Sequence, residues 1–228
     1  MKNENEKNEK NEKNISIEDI KFIGEANDPK CPTYKTIAIG DQYIGKTAII
    51  GRIIYNKFIE TDPTISLDVK YFQYKIGDKR YQIQFWDTCG QDDFVISTNN
   101  LFNNVSICMI LYSIVDKKSF EHVNSWLNIL RQKSYGGLVY LIATKFDLED
   151  DRVVQKAEGE KLAKDLGFNF FIETSSKNSY NLGNLKKQFV LDLYKKESVD
   201  EDKAEGKVSI TMENLSKKKT SKKENKCC

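Results

Sequence analysis

Between Thr33 and Lys196 the apolar positions follow two rhythms that alternate along the chain. Residues 34–39 are β-branched and alternating, which predicts a strand. The residues after them place Ile49, Ile50, Ile53, Ile54 and Phe58 at helical spacing, which predicts a helix over 46–58. Residues 67–76 and 80–87 read as strands joined by Gly77-Asp78, a two-residue hairpin signal. Residues 105–113 and 139–144 are continuous apolar runs, as strands buried on both faces require. A further strand is predicted at 168–174, and helices at 117–133, 152–166 and 181–196. Strands and helices in alternation predict an α/β fold: a mostly parallel sheet covered by helices, with one antiparallel hairpin. Ligands of such sheets sit at the carboxyl ends of the strands.

The flanks have a different character. Residues 1–14 repeat Asn, Glu and Lys with no apolar residue after Met1, a composition that cannot bury enough surface to offset its ordering entropy. Residues 15–32 carry only a short apolar sprinkle and read as an extension of low order with room for one helical turn. Beyond Glu197 the chain is polar again. The organisation expected is therefore a low-order extension over 1–32, one domain over 33–196 and a flexible tail over 197–228. A chain of 228 residues with 39% hydrophobic and 11% aromatic residues has enough apolar material for that one core. A net charge of +2 gives no argument for nucleic-acid binding, and none is expected. The five cysteines show no Cys-x-x-Cys spacing, so neither a zinc site nor a disulfide framework is indicated. No apolar run has the length of a membrane span and the N-terminus is not signal-like, so a cytosolic protein is expected unless something is attached to it.

The run Gly40-Asp41-Gln42-Tyr43-Ile44-Gly45-Lys46-Thr47 changes the picture most. It satisfies the phosphate-loop pattern G-x-x-x-x-G-K-[ST] between a predicted strand and a predicted helix. Gly40 and Gly45 let the backbone turn and aim its N–H groups at an anion, and the helix N-terminus adds positive potential. Lys46 reaches toward the β- and γ-phosphates, and the Thr47 hydroxyl suits Mg²⁺. This predicts a nucleoside triphosphate site.

Three downstream motifs select the base and the reaction. In Trp86-Asp87-Thr88-Cys89-Gly90-Gln91, Asp87 is placed to hold Mg²⁺. Gly90 offers an N–H to the γ-phosphate, and Gln91 can orient an attacking water. In Asp62-Pro63-Thr64-Ile65, Thr64 is the second hydroxyl ligand for Mg²⁺. In Thr144-Lys145-Phe146-Asp147, followed by Glu173-Thr174-Ser175-Ser176-Lys177, the Asp147 carboxylate can accept both N1–H and N2–H of guanine, which adenine lacks. The Ser176 N–H can meet O6, and the Lys145 stem lies along the base.

With these motifs, the segment 119–127 (Ser-Phe-Glu-His-Val-Asn-Ser-Trp-Leu) and the Cys-Cys end, the chain resembles the small GTPases and, among them, the Rab family. The resemblance covers about 33–196 and the last two cysteines. It implies the phosphate-loop NTPase fold of small GTPases: a six-stranded, mostly parallel sheet with one antiparallel strand and about five helices. It implies GTP contacts from the whole loop through Ala48 and from Ser175 and Lys177, with Phe58 against the base and switch segments at 59–68 and 88–102. Departures are visible. Thr144 replaces the usual Asn, as in Rho-type relatives, and Cys89 replaces Ala. Ser66 replaces Gly, and Leu67-Asp68-Val69 replaces a motif ending in Phe. The spacing from 47 to 64 is one residue short, and no tyrosine precedes Pro63. No Rab subtype can be named. Gln42 and Tyr43 stand where small residues are usual, putting bulk at the loop's closest approach to the γ-phosphate, so slow hydrolysis is expected.

Other residues read more blandly. His122, the one histidine, reads as a surface or packing residue, and Cys89 as a small inert side chain. Trp86 is read evenly between packing and an effector surface. The tail reads sharply: residues 216–226 hold six Lys against one Glu, directly before Cys227-Cys228. Basic residues near an anionic leaflet each contribute about 1 kcal/mol, and two lipid chains anchor where one binds marginally. By the resemblance, Cys227 and Cys228 each receive a geranylgeranyl group. The expected protein is a Rab-like GTP/GDP switch in vesicle-mediated transport with Mg²⁺ as cofactor. Its expected partners are effectors, an exchange factor, an activating protein, a prenylation escort and a GDP-dissociation-inhibitor-type chaperone. Its expected place is the cytoplasmic face of intracellular membranes, with a cytosolic pool. Two alternatives remain: a GTP-binding module with little hydrolysis, and a Rho- or Ras-like signalling GTPase.

Overall fold

The computed structural model of the chain describes residues 19–60, 64, 66–90, 95, 100–133 and 135–204. Its strands are β1 Ile20–Glu25, β2 Thr33–Ile39, β3 Asp68–Ile76, β4 Lys79–Asp87, β5 Val105–Ser113, β6 Leu138–Thr144 and β7 Phe170–Glu173. They form one sheet in the order β1-β3-β4-β2-β5-β6-β7. β4, β2, β5, β6 and β7 run parallel, while β3 is antiparallel to β4 and β1 antiparallel to β3. The hairpin falls where expected, with Ile76 opposite Lys79.

The sheet therefore has seven strands instead of six, with two antiparallel partners. The extra strand lies inside the stretch expected to be of low order. Its sequence signal is weak because most of β1 is exposed, so no alternation of buried and open positions marks it. Pairing with β3 through a bulge between Phe22 and Gly24 orders it. Phe22 lies 5.9 Å from Phe72, ring to ring, and Tyr55 donates to Glu25 at 3.0 Å. β1 also covers the edge that β3 would otherwise present, and open edges invite unwanted pairing.

The helices are α1 Lys46–Tyr55, α2 Lys117–Glu121, α3 Val123–Gln132, α4 Lys156–Leu166 and α5 Leu182–Ala204. Helix α1 stops short of Phe58 because Asn56 takes a left-handed conformation (φ 54°), a common helix terminator. The single helix predicted over 117–133 is divided by a turn at His122. Helix α4 begins later than expected, behind a reciprocal cap between Gln155 and Glu158. Helix α5 extends past its predicted end, from the compact unit that closes at Gln188 into the one that opens at Phe189.

All nine residues of β5 are buried, which accounts for its unbroken apolar run. Ile37, Ile39, Cys108, Ile110 and Tyr112 share a core cluster with Trp126, Leu127 and Leu130 of α3. Alternate positions of the same strands point to the opposite face. Helices α2 and α3 pack on β5, α4 on β7, and α1 on β1, β3 and β4. The carboxyl ends of β2, β4, β5 and β6 are thus left free to carry the loops of a site.

One buried ion pair secures the loop after β6. Arg152 donates to both carboxylate oxygens of Glu173, at 2.6 and 3.1 Å, and the two side chains are only 8% and 3% exposed. Removing one partner strands the other charge. Arg152→Met is expected to lower the unfolding free energy by about 3–5 kcal/mol in chemical denaturation. Lys161→Ala, which breaks an exposed pair with Asp165, should leave it nearly unchanged.

Candidate functional site

The loop between β2 and α1 is pressed against the central strand. A side chain at Gly40 (φ +136°) would place its Cβ 2.5 Å from the Leu111 carbonyl oxygen and 2.6 Å from Ile44 Cδ1. Gly45 caps α1, whose first N–H groups have no intrahelical acceptors. Lys46 opens that helix and is 5% exposed. Its Nζ donates to the carbonyls of Gly40 (2.9 Å) and Asp41 (2.6 Å). Burial lowers its pKa to about 8, against the opposing pull of Asp87, Cys89 and Asp41. Gly90 sits beside it at φ +77°, where a Cβ would press on Lys46 Nζ and lie 2.8 Å from the Asp41 carbonyl.

An oxygen-rich corner lies next to the lysine. The hydroxyls of Thr47 and Thr64 are 2.6 Å apart, and Thr64 Oγ1 is 3.5 Å from Asp87 Oδ2. Asp87 is 1% exposed, and its Oδ1 has no hydrogen-bond partner among the described residues. Burial pushes its carboxyl up, while the Thr47 hydroxyl and Lys46 work the other way. Two hydroxyls and a buried carboxylate with a free oxygen form a hard donor set. They fit Mg²⁺, which takes few protein ligands and completes its shell with water and phosphate.

The other end is built by the loops after β6 and β7. Thr144 Oγ1 donates to the Ile44 carbonyl and lies 3.0 Å from that of Tyr112, tying the phosphate loop to two strand ends. Lys145 follows in a left-handed conformation (φ 63°). Asp147 Oδ1 accepts from Ser175 Oγ at 2.6 Å, and that hydroxyl accepts in turn from the backbone N–H groups of Lys177 and Asn178. Phe146 stacks on Tyr180 at 3.9 Å, with Arg152 5.6 Å from the Phe146 ring. Phe58 is 40% exposed across the opening.

These groups line one cleft of about 720 Å³. Of the residues expected in the site, Gln42 through Ala48, Phe58, Thr64, Thr144, Lys145, Asp147, Ser176 and Lys177 line it directly. Gly40, Gly90 and Asp87 stand behind them, as does Ser175, which braces Asp147. Asp41 is absent from the lining, and both its carboxylate oxygens are engaged by His122 and Trp126. Tyr43 departs from expectation. It is 72% exposed and adopts φ 61°, so its ring does not crowd the loop as its size suggested. Ile59, Glu60, Thr88, Cys89 and Leu148 join the lining, although no motif position marked them for nucleotide contact. Gln91, Asp62, Pro63, Ile65, Cys227 and Cys228 lie outside the described residues.

A sequence model of the Ras family matches residues 35–196, the segment that carries every element of this cleft. The chain belongs to the Ras family. Within it, the chain is 33% identical over 196 residues to Ras-related protein Rab-13 of Rattus norvegicus, covering 85% of this chain and 95% of that one. It is 36% identical over 151 residues to Ras-related protein Rab-13 of Mesocricetus auratus, covering 65% and 74%. It is 35% identical over 151 residues to the Bos taurus protein of the same name, with the same coverage. It is a divergent Rab-type small GTPase. GTPases of this family hydrolyse GTP and generally depend on Mg²⁺, in keeping with the donor set at Thr47, Thr64 and Asp87.

The tight packing around Gly90 makes it a sensitive position. Gly90→Ala combines a left-handed backbone with a Cβ pressed on Lys46 and the Asp41 carbonyl. It should cost about 1–2 kcal/mol of stability and, on the expectation that the Gly90 N–H meets a γ-phosphate, weaken GTP more than GDP. Parallel titrations of the two nucleotides check this.

Proposed function

We propose that the cleft binds GTP and GDP and that the chain is a trafficking switch in vesicle-mediated transport. The observation that carries this reading is the joining of two specific halves by Thr144. One half is a phosphate loop around a buried lysine; the other is a braced Asp147 carboxylate suited to the guanine N1–H and N2–H edge. Gly40 through Ala48 hold the phosphates, with Gly90 offering its N–H to the γ-phosphate. Lys145 and Phe58 lie along the base, Ser176 donates its N–H to O6, and Ser175 and Lys177 fix the loop beneath.

Thr47, Thr64 and Asp87 would hold Mg²⁺, which when bound neutralises charge on the β- and γ-phosphate oxygens. Lys46 stabilises negative charge on the same groups. Gln91 orients the water that attacks the γ-phosphorus in line, and an arginine supplied by an activating protein completes the charge stabilisation. Because Tyr43 turns outward, slow hydrolysis as a binding module rests on Gln42 alone. The Rho- or Ras-like alternative, motivated by Thr144, gives way to the Rab reading because the relatives matched are Rab-13 proteins. Attachment to the cytoplasmic face of an intracellular membrane is through prenyl groups on Cys227 and Cys228, supported by the preceding lysines. A prenylation escort and a dissociation-inhibitor-type chaperone handle the lipids, while an exchange factor and effectors read the switch. No described helix is long and apolar enough to cross a membrane.

The base assignment is tested by nucleotide competition. The unmodified protein should prefer GTP and GDP to ATP by orders of magnitude, and Asp147→Asn should lower guanine affinity while admitting xanthine nucleotides. Equal affinity for ATP and GTP would defeat the assignment.

Membrane attachment has its own test. Changing Cys227 and Cys228 together to Ser should move the protein to the soluble fraction in fractionated cells. Neutralising the lysines at 217–219 and 222–223 should redistribute it among membranes. Unaltered sedimentation of the double Ser variant would remove the lipid from the account.

A further inference from the structure

Asp41 is the second residue of the phosphate loop, yet its side chain does not serve the cleft. Its Oδ1 accepts from Trp126 Nε1 at 2.7 Å, and its Oδ2 lies 2.8 Å from His122 Nδ1. The two donors are four residues apart across the turn between α2 and α3, so they share one helix face. The carbonyl of the same Asp41 accepts from Lys46 Nζ at 2.6 Å, and Gly90 packs against it. One residue thus ties the outer helices to the lysine and glycine that meet the phosphates. It lies between Gly40 and Tyr43, both at positive φ, in a segment that its short backbone turns alone would leave adjustable.

Trp126 is 1% exposed and part of the core cluster, so packing accounts for its position. His122 is different: its side chain is 59% exposed, and the one described hydrogen-bonding partner of the imidazole is Asp41. Packing does not require an imidazole there. We propose that His122 is a positioning residue for the phosphate loop. By holding the Asp41 carboxylate it fixes the carbonyl on which Lys46 rests, and so slows the release of guanine nucleotide. This rests on the reading of the cleft as a guanine-nucleotide site.

The test uses the full chain loaded with fluorescent GDP and measures its release rate. His122→Leu should release GDP about fivefold faster, the net effect of one ordinary hydrogen bond at an exposed side chain. His122→Asn, whose amide N–H can occupy the Nδ1 position, should restore a near-native rate. His122→Leu combined with Asp41→Ala should release GDP no faster than Asp41→Ala alone, because the His122–Asp41 contact is already lost in Asp41→Ala. The Trp126 indole N–H resonance should shift in His122→Leu, while the melting temperatures of the Leu and Asn variants stay together. The proposal is overturned by native release from His122→Leu, by an additive effect with Asp41→Ala, or by a failure of Asn to rescue. If the unmodified chain retains no GDP, the guanine-nucleotide reading falls first and takes this proposal with it. Retention of GDP with no effect of His122 overturns the proposal alone.

Discussion

A single hydroxyl joins the two halves of the cleft. Thr144 ends β6 and shares its proton between the carbonyls of Ile44, in the phosphate loop, and Tyr112, in β5. Without such a tie the distance between phosphate loop and base loop would depend on two flexible turns. With it, the loops take their positions from adjacent parallel strands whose register is set by buried side chains. The departure from the usual Asn is therefore tolerable in physical terms. A Thr hydroxyl on a buried strand end supplies the donor that the loops need.

Charge is handled in the cleft by burial with incomplete compensation. Lys46 is buried, with its ammonium held by two backbone carbonyls; Asp87 is buried with one oxygen unpartnered among the described residues. Buried charges are costly unless paired. A site that keeps a lysine and a carboxylate half satisfied is suited to partners that bring the missing charges, an anionic polyphosphate for one and a cation for the other. Elsewhere the molecule resolves the same problem internally, as in the closed Arg152–Glu173 pair. That pair anchors the loop carrying Asp147 and lets Arg152 sit near the Phe146–Tyr180 stack.

The periphery shows how weakly patterned segments acquire structure. β1 has too few buried positions to announce itself, but the edge of β3 offers it backbone partners on both sides of a bulge. The turn at His122 likewise interrupts a segment whose apolar spacing runs straight through from Phe120 to Leu130. Spacing reports which face is buried, and it is indifferent to a local change of axis.

The sequence by itself determined the parts of this protein that depend on local geometry or on burial. The strand, loop and helix around Gly40–Thr47 were legible because only certain residues permit that turn. The buried strand β5 was legible because nine consecutive positions exclude water. The roles expected of Asp87, Thr64 and Asp147 rest on chemistry at fixed spacing. Tertiary structure alone decided the direction of side chains that have a choice. Asp41 turned toward α3 because two donors 81 and 85 residues away outbid the phosphate side. Tyr43 turned outward because its backbone is left-handed and the loop interior is filled by Ile44 and Lys46. It also decided the seventh strand, since edge pairing depends on what another segment leaves open. Local pattern encodes what a residue can do; long-range contact selects which of those things it does.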